Sequence, residues 1–188
     1  MSIILMRHGR PLLKPSAWIA PAAMGEWIAD YERASVAAEP PVDSLALART
    51  ADCLISSTAP RALSSLAAMG LQAHLSDACF GEAGLPFALW RRPRLPPILW
   101  AACFRLLWLC GYARGSESLA AARLRASKAA QTLLKFAEQG SVLLLGHGVM
   151  NRLIAAELRA AGWSSDKQQR NAYWSASIYR RSAHSSSK

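Results

Sequence analysis

Two apolar runs, far apart in the chain, each end on a histidine followed by glycine, and this pairing constrains the fold more than any other feature. Ile3-Ile4-Leu5-Met6 runs into Arg7-His8-Gly9, and Val142-Leu143-Leu144-Leu145 runs into Gly146-His147-Gly148. Four apolar residues bounded by a glycine turn read as a strand buried on both faces, the pattern of a parallel sheet covered by helices. Open α/β sheets bind their ligands beyond the carboxyl ends of such strands, so both histidines are expected to meet at a site there. A third run, Leu54-Ile55-Ser56-Ser57, is followed by Thr58-Ala59-Pro60-Arg61 and a helical stretch, which sets Arg61 in the first turn of a helix as a fixed cation.

Helical periodicity fills the intervals. Met24, Trp27, Ile28 and Tyr31 recur at helical spacing in a helix from about Met24 to Val36 and read as core; Pro40-Pro41 closes that stretch. A helix over about Pro60 to Met69 and a strand near Leu71 to Leu75 follow. Leu119, Ala122, Ala126, Ala130, Leu133 and Ala137 form one stripe between Ser118 and Gln139, with Ser116 or Ser118 as N-cap and Gly140 as the stop. A last helix runs from about Met150 to Ala160. Strands separated by helices predict an α/β fold with a mostly parallel sheet covered on both faces. At 188 residues, about half of them apolar, the chain reads as one domain over residues 1–182, with residues 183–188, His184 included, as a disordered tail.

Arg7-His8-Gly9, Ser56-Ser57 with Arg61-Ala62, and Gly146-His147-Gly148, in that order and spacing, resemble the histidine phosphatase superfamily, also called phosphoglycerate mutase-like. The resemblance runs from the N-terminus to about Leu158 and implies a three-layer α/β/α sandwich. It also implies phosphoryl transfer through a phosphohistidine on His8. Attack on phosphorus needs a neutral imidazole in line with the leaving oxygen and preorganised cations around the equatorial oxygens. Arg7 and Arg61 suit the second task through their forked donors, and His147 adds a further donor, a third positive charge if a bound anion holds it protonated. Ser57 and the Gly148 N–H are candidate minor contacts. Arg10 stands where many relatives carry a small polar phosphate contact, and Arg91, in Trp90-Arg91-Arg92-Pro93-Arg94, is a candidate for a second anionic group. The general acid must be a carboxyl close by. The family's Leu-x-Glu pattern is met by Leu75-Ser76-Asp77 and by Phe80-Gly81-Glu82. Glu82 is preferred, because Asp77 leaves little chain for a turn into the pocket, and Asp77 stays open as the alternative. Glu117 is expected to order a helix N-terminus.

These residues point to a metal-independent phosphomonoesterase acting on a small phosphorylated substrate, with no cofactor and no clustered metal-ligand pattern. The alternatives are mutase-type phosphoryl transfer and a noncatalytic phosphate-binding or membrane-associated regulatory module. A net charge of +10 suits an anionic substrate, and the dispersed basic residues lack the interleaved aromatics of a nucleic-acid surface. Cys53, Cys79, Cys103 and Cys110 lack metal-ligand spacing and read as reduced, buried thiols; with no secretory signal, a cytoplasmic location is expected. Leu95 to Tyr112 is apolar and Trp-rich, but Pro96-Pro97, Arg105 and its length argue against a transmembrane span. It reads as a buried helix, with Cys103 and Cys110 on the buried face, or as a cap over the pocket, in preference to a peripheral membrane contact. The oligomeric state is not encoded in any of these features.

Overall fold

The apolar runs become neighbouring strands of one sheet. The computed structural model describes residues 1–13, 15, 17–36, 39–165 and 172–181. The expected tail, 183–188 with His184, lies outside the described residues. β1 (Ile3–Arg7), β2 (Cys53–Ser56), β3 (Leu75–Ser76) and β4 (Val142–Gly146) run parallel, with β4 central between β2 and β1. β5 (Trp163–Ser164) and β6 (Ala176–Arg181) complete the order β3-β2-β4-β1-β6-β5, and β6 alone runs against the rest. The sequence reading did not contain β5 and β6: β5 has only two residues, too few to display a period, and Ala176-Ser177-Ile178-Tyr179-Arg180-Arg181 of β6 carries no apolar run.

Alternate residues of the central strands face opposite layers, as a pleated strand requires. Ile3, Leu5, Ile55, Val142 and Leu144 pack on one side against α5 (Leu119–Ala137) and α6 (Gly148–Ala160). Ile4, Met6, Leu54, Leu143 and Leu145 pack on the other against Ala48 of α2 (Val42–Ala48) and Leu66 of α3 (Pro60–Ala68). This is the expected three-layer α/β/α sandwich. The buried face of α5 is mostly alanine, from Ala122 to Ala137, and Ser118 caps it by accepting a hydrogen bond from Ala121 N–H at 3.1 Å. Gly140 is not its stop: a Cβ there would meet Asp52 Oδ2 at 2.6 Å, so the glycine serves the close approach of the β2 loop.

Other departures have local causes. β3 is confined to Leu75–Ser76 because the His74 ring, instead of a backbone carbonyl, accepts the Leu54 N–H at 2.9 Å. α1 (Met24–Arg33) ends three residues earlier than expected. α4 (Pro97–Leu109) packs Trp100 and Phe104 against Met24 and Trp27 of α1 in a small cluster apart from the sheet. It is a half-buried cap: Pro97, Trp100, Phe104 and Trp108 are buried, while Cys103 and Cys110 lie on its exposed side, contrary to expectation. Cys53 and Cys79 are partly buried. Among the described residues no helix is long and apolar enough to cross a membrane.

Leu144 is fully buried in the central strand. Leu144→Ala is expected to lower unfolding free energy by about 2–5 kcal/mol, read from a urea midpoint, since neighbouring strands on both sides prevent collapse around the cavity.

Candidate active site

The parallel register of β1 on β4 pairs Ile3 with Val142 and continues residue by residue to Arg7 with Gly146. The next step along both strands is His8 and His147. His8 N–H donates to Gly146 carbonyl oxygen at 3.0 Å, which extends the ladder one residue further. The two imidazoles then lie edge to face with centroids 5.0 Å apart, both buried. His8 Nδ1 is 2.7 Å from the Gly9 carbonyl oxygen. A carbonyl can only accept, so Nδ1 carries the proton and Nε2 keeps the lone pair. Gly9 has a steric reason to be glycine: a Cβ would meet Trp174 Cζ2 at 2.3 Å and Val36 Cγ1 at 2.6 Å.

Two arginines join the histidines from separate elements. Arg7 ends β1 and stacks its guanidinium over Tyr173 at 4.3 Å. Arg61, in the first turn of α3, lies over Tyr31 at 4.9 Å and donates to the Tyr31 and Glu32 carbonyls at 3.4 and 3.5 Å. Ser65 couples this helix to the turn after His8: its Oγ donates to Arg61 carbonyl oxygen at 2.6 Å and accepts from Gly9 N–H at 2.9 Å. Arg7, Arg61, Tyr31 and Tyr173 line a pocket of about 200 Å³ together with Glu82, Glu32 and Arg105. Its remaining wall is apolar, built from Trp27, Ile28, Leu85, Ile98 and Ala101.

Glu82 reaches this pocket on an irregular segment held by helix-borne side chains. Its Oε1 accepts from Val149 and Met150 N–H at 3.1 and 3.0 Å, the free amides of the α6 N-terminus that follows His147. Arg125 of α5 donates to the carbonyls of Cys79, Gly81 and Glu82 at 2.9, 2.8 and 3.2 Å. Arg105 of α4 donates to those of Ala83 and Gly84 at 2.8 and 2.9 Å. Glu117 does not order a helix N-terminus: its carboxylate pairs with Arg125 and accepts the Gly84 N–H at 3.1 Å. A loop with this many satisfied carbonyls is rigid and fixes the Glu82 carboxyl at the pocket.

Burial sets the protonation of the site. The His8 pKa is pushed down to about 3, first by desolvation and then by His147, with Arg61 and Arg7 adding smaller repulsion. His147 is held well below the ordinary histidine value by desolvation first and by Arg61, Arg7 and Arg125 next. The unliganded site therefore holds two neutral imidazoles, and His147 is not a standing third cation. Desolvation, then Tyr173, lifts the Tyr31 hydroxyl to about 12, so it stays a neutral donor. Arg61 Nε and His147 Nδ1 are buried with no hydrogen-bond partner among the described residues. Arg61 lines the pocket, whereas His8 and His147 are not among its lining residues, and a buried polar atom left unpaired in a pocket wall is rare and marks a ligand position.

The remaining expected residues divide. Ser57 Oγ lies 2.6 Å from His147 Nε2 and orients that ring. Gly148 is buried as the first residue of α6 and does not line the pocket. Arg10 and Arg91 are exposed and absent from the pocket wall. Asp77 is exposed and caps the turn after β3 by accepting Cys79 N–H at 2.7 Å, away from the pocket. Trp27 and Ile28, read as core, pack on the Met24, Trp100 and Phe104 cluster and also line the pocket, as does Tyr31, because α4 covers α1 only partly. Tyr173, Arg105, Glu32 and Ser65 were missed. Arg105, a lone charge in an apolar helix, was the one of these with a visible signal. Among the described residues no group of three His, Cys, Asp or Glu side chains could hold a metal ion.

Solved structures share this fold. They include mycobacterial glucosyl-3-phosphoglycerate phosphatase in complex with VO3, with TM-score 0.57 and 18% identity over 95% of this chain and 96% of that one. YhfR of Bacillus stearothermophilus gives 0.56 and 17%, over 97% and 96%. A phosphoserine phosphatase mutant from Entamoeba histolytica in complex with phosphoserine gives 0.55 and 15%, over 94% and 89%. No protein-family profile matches the chain, and no curated protein matches it in sequence.

The depressed histidines make stability depend on pH. A folded His8 pKa near 3 and an unfolded value near 6.5 mean that the unfolded chain binds the extra proton between those limits. Stability is therefore complete above about pH 6.5 and is lost as pH falls toward 3, with a slope of up to about 1.4 kcal/mol per pH unit for this group. His8→Gln should flatten the acid limb of a plot of urea midpoint against pH. An unchanged limb would mean that His8 is not neutral in the fold.

Proposed function

We propose, from a fold shared with histidine phosphatases and from the site at its strand ends, that the chain is a phosphomonoesterase working through a phosphohistidine on His8. The observation that carries this reading is a single geometry. A neutral imidazole, its Nδ1 proton held by the Gly9 carbonyl, stands 5.0 Å from His147 beside a pocket lined by Arg7, Arg61 and Glu82.

In the proposed reaction the Nε2 lone pair of His8 attacks phosphorus and the bond to the alcohol oxygen breaks. Arg7, Arg61 and the His147 ring N–H hold the equatorial oxygens, whose charge is best met by preorganised donors in a water-poor site. Glu82 gives its proton to the departing alkoxide. It then takes a proton from water, whose oxygen forms a new bond to phosphorus as the N–P bond breaks, releasing phosphate and restoring His8. The two guanidiniums supply the neutralising charge that a divalent cation supplies in metal-dependent phosphatases. Bound anion opposes the desolvation that keeps His147 neutral, so substrate would favour its charged form.

The far wall supports hydrolysis over a mutase-type transfer. A mutase substrate carries a second strongly anionic group that needs its own cation. Arg91 is exposed away from the pocket, and the donors of Arg105 are engaged with the Ala83 and Gly84 carbonyls. Trp27, Ile28, Leu85, Ile98 and Ala101 instead favour a phosphomonoester whose alcohol carries an apolar or aromatic group.

A chromogenic aryl phosphate assay tests this. His8→Ala should lower kcat/KM by roughly 10³-fold or more, and equal rates for the two proteins would refute the reading. Glu82→Gln should lower kcat/KM for esters of alkyl alcohols by roughly 10²-fold or more while leaving kcat/KM for nitrophenyl phosphate nearly unaffected, because a good leaving group needs no proton. Its kcat should fall for both, since the second step loses its base. Asp77→Asn should change neither; a leaving-group effect confined to Asp77→Asn would move the acid role there.

A further inference from the structure

We propose that the exposed face of α4, with the arginines that flank the helix, docks the protein on an anionic membrane surface. α4 is apolar on every side, and its one charged residue, Arg105, is turned inward to the Ala83 and Gly84 carbonyls. A helix with this composition is normally buried all round. Here the side opposite Trp100, Phe104 and Trp108 is open: Ile98 keeps 66% of its surface, Leu106 64% and Leu109 53%. Soluble monomers rarely leave such contiguous apolar surface without a use. Two exposed tryptophans lie close to the helix start. Trp90 is 58% exposed, and Trp18, 64% exposed, precedes Ile19, whose backbone exchanges hydrogen bonds with Leu95 two residues before α4. Tryptophan prefers the headgroup region, where one end of the ring is apolar and the other wet.

Charge selects the occupant. From Leu85 to Gly115 the chain has five arginines, Arg91, Arg92, Arg94, Arg105 and Arg114, and no Asp or Glu. Four of them are exposed, Arg91, Arg92 and Arg94 shortly before α4 in the chain and Arg114 shortly after it. A second copy meeting on this face would set arginine against arginine across a twofold axis. An anionic lipid surface takes the apolar side chains into its acyl boundary and the arginines onto its headgroups. Ile98 lines the pocket and is also part of the exposed face, so the pocket opens on the docking side. This inference concerns where the protein sits and does not depend on the proposed phosphatase reaction.

Vesicle flotation of the full chain tests it. The protein is expected to float with vesicles of equal phosphatidylglycerol and phosphatidylcholine, to stay behind with pure phosphatidylcholine, and to be released as salt is raised to about 0.5 M. Leu106→Glu with Leu109→Glu should lower partitioning at least tenfold, and Arg94→Gln with Arg114→Gln by roughly 30-fold, about 1 kcal/mol for each arginine. Both pairs should keep the wild-type thermal melt and aryl phosphatase rate. The arginine pair and the lipid comparison carry the test even if the glutamates impair folding. No flotation with the anionic vesicles, or wild-type flotation by both variants, overturns the proposal. So does a dimer in light scattering that Leu106→Glu dissolves, which would assign the face to a second copy.

Discussion

The parallel pairing of β1 with β4 is the constraint on which the site depends. Its register runs unbroken from Ile3 with Val142 to Arg7 with Gly146, and the His8 N–H bond to Gly146 carries it one step further. Neighbouring strands lie about 4.8 Å apart, which sets two residues at the same level within ring contact. A slip of one residue would turn either histidine to the other face of the sheet. The apolar alternation that fills both layers therefore also fixes the distance between the imidazoles. Core packing and site geometry are one constraint here.

The second requirement is to hold the Glu82 carboxyl at the pocket without regular secondary structure. The segment around Glu82 has no ladder to satisfy its carbonyls, so guanidiniums from α4 and α5 do so. Arg125 takes the carbonyls of residues 79, 81 and 82, and Arg105 those of 83 and 84. Glu82 in turn occupies the amides at the start of α6, the helix that begins right after His147. The loop, the two helices and the second histidine are thereby tied to each other. Glu82 thus has a structural duty alongside the chemical one assigned to it in the proposed reaction.

α4 illustrates how a cap divides its surfaces. One side packs on α1 through Trp100 and Phe104. A second contributes Ile98, Ala101 and Arg105 to the pocket. What is left is apolar and open, which explains why the expectation of a wholly buried helix failed: the segment has the composition of a core helix, but α1 supplies too little surface to cover it. The same shortage leaves one side of Trp27, Ile28 and Tyr31 open to the pocket.

The sequence by itself determined the parallel α/β sandwich, the two histidines at its strand ends and Arg61 on the helix after β2. These depend on local signals: apolar runs too short for helices, glycines at the turns and a proline at the start of α3. With the family resemblance it offered two carboxyls for the pocket, and chain length favoured Glu82, which lines it, over Asp77, which does not. Only the tertiary structure decided what lines that pocket. Tyr173, Arg105, Glu32 and Ser65 come from separate segments, and no periodicity records which of them a fold will bring together. It likewise turned Arg10 and Arg91 to solvent and gave Glu117 to Arg125, because where a charged side chain ends up depends on partners distant in sequence. Protonation belongs to the same class, since the neutral state of His8 and His147 follows from how much water the assembled layers exclude.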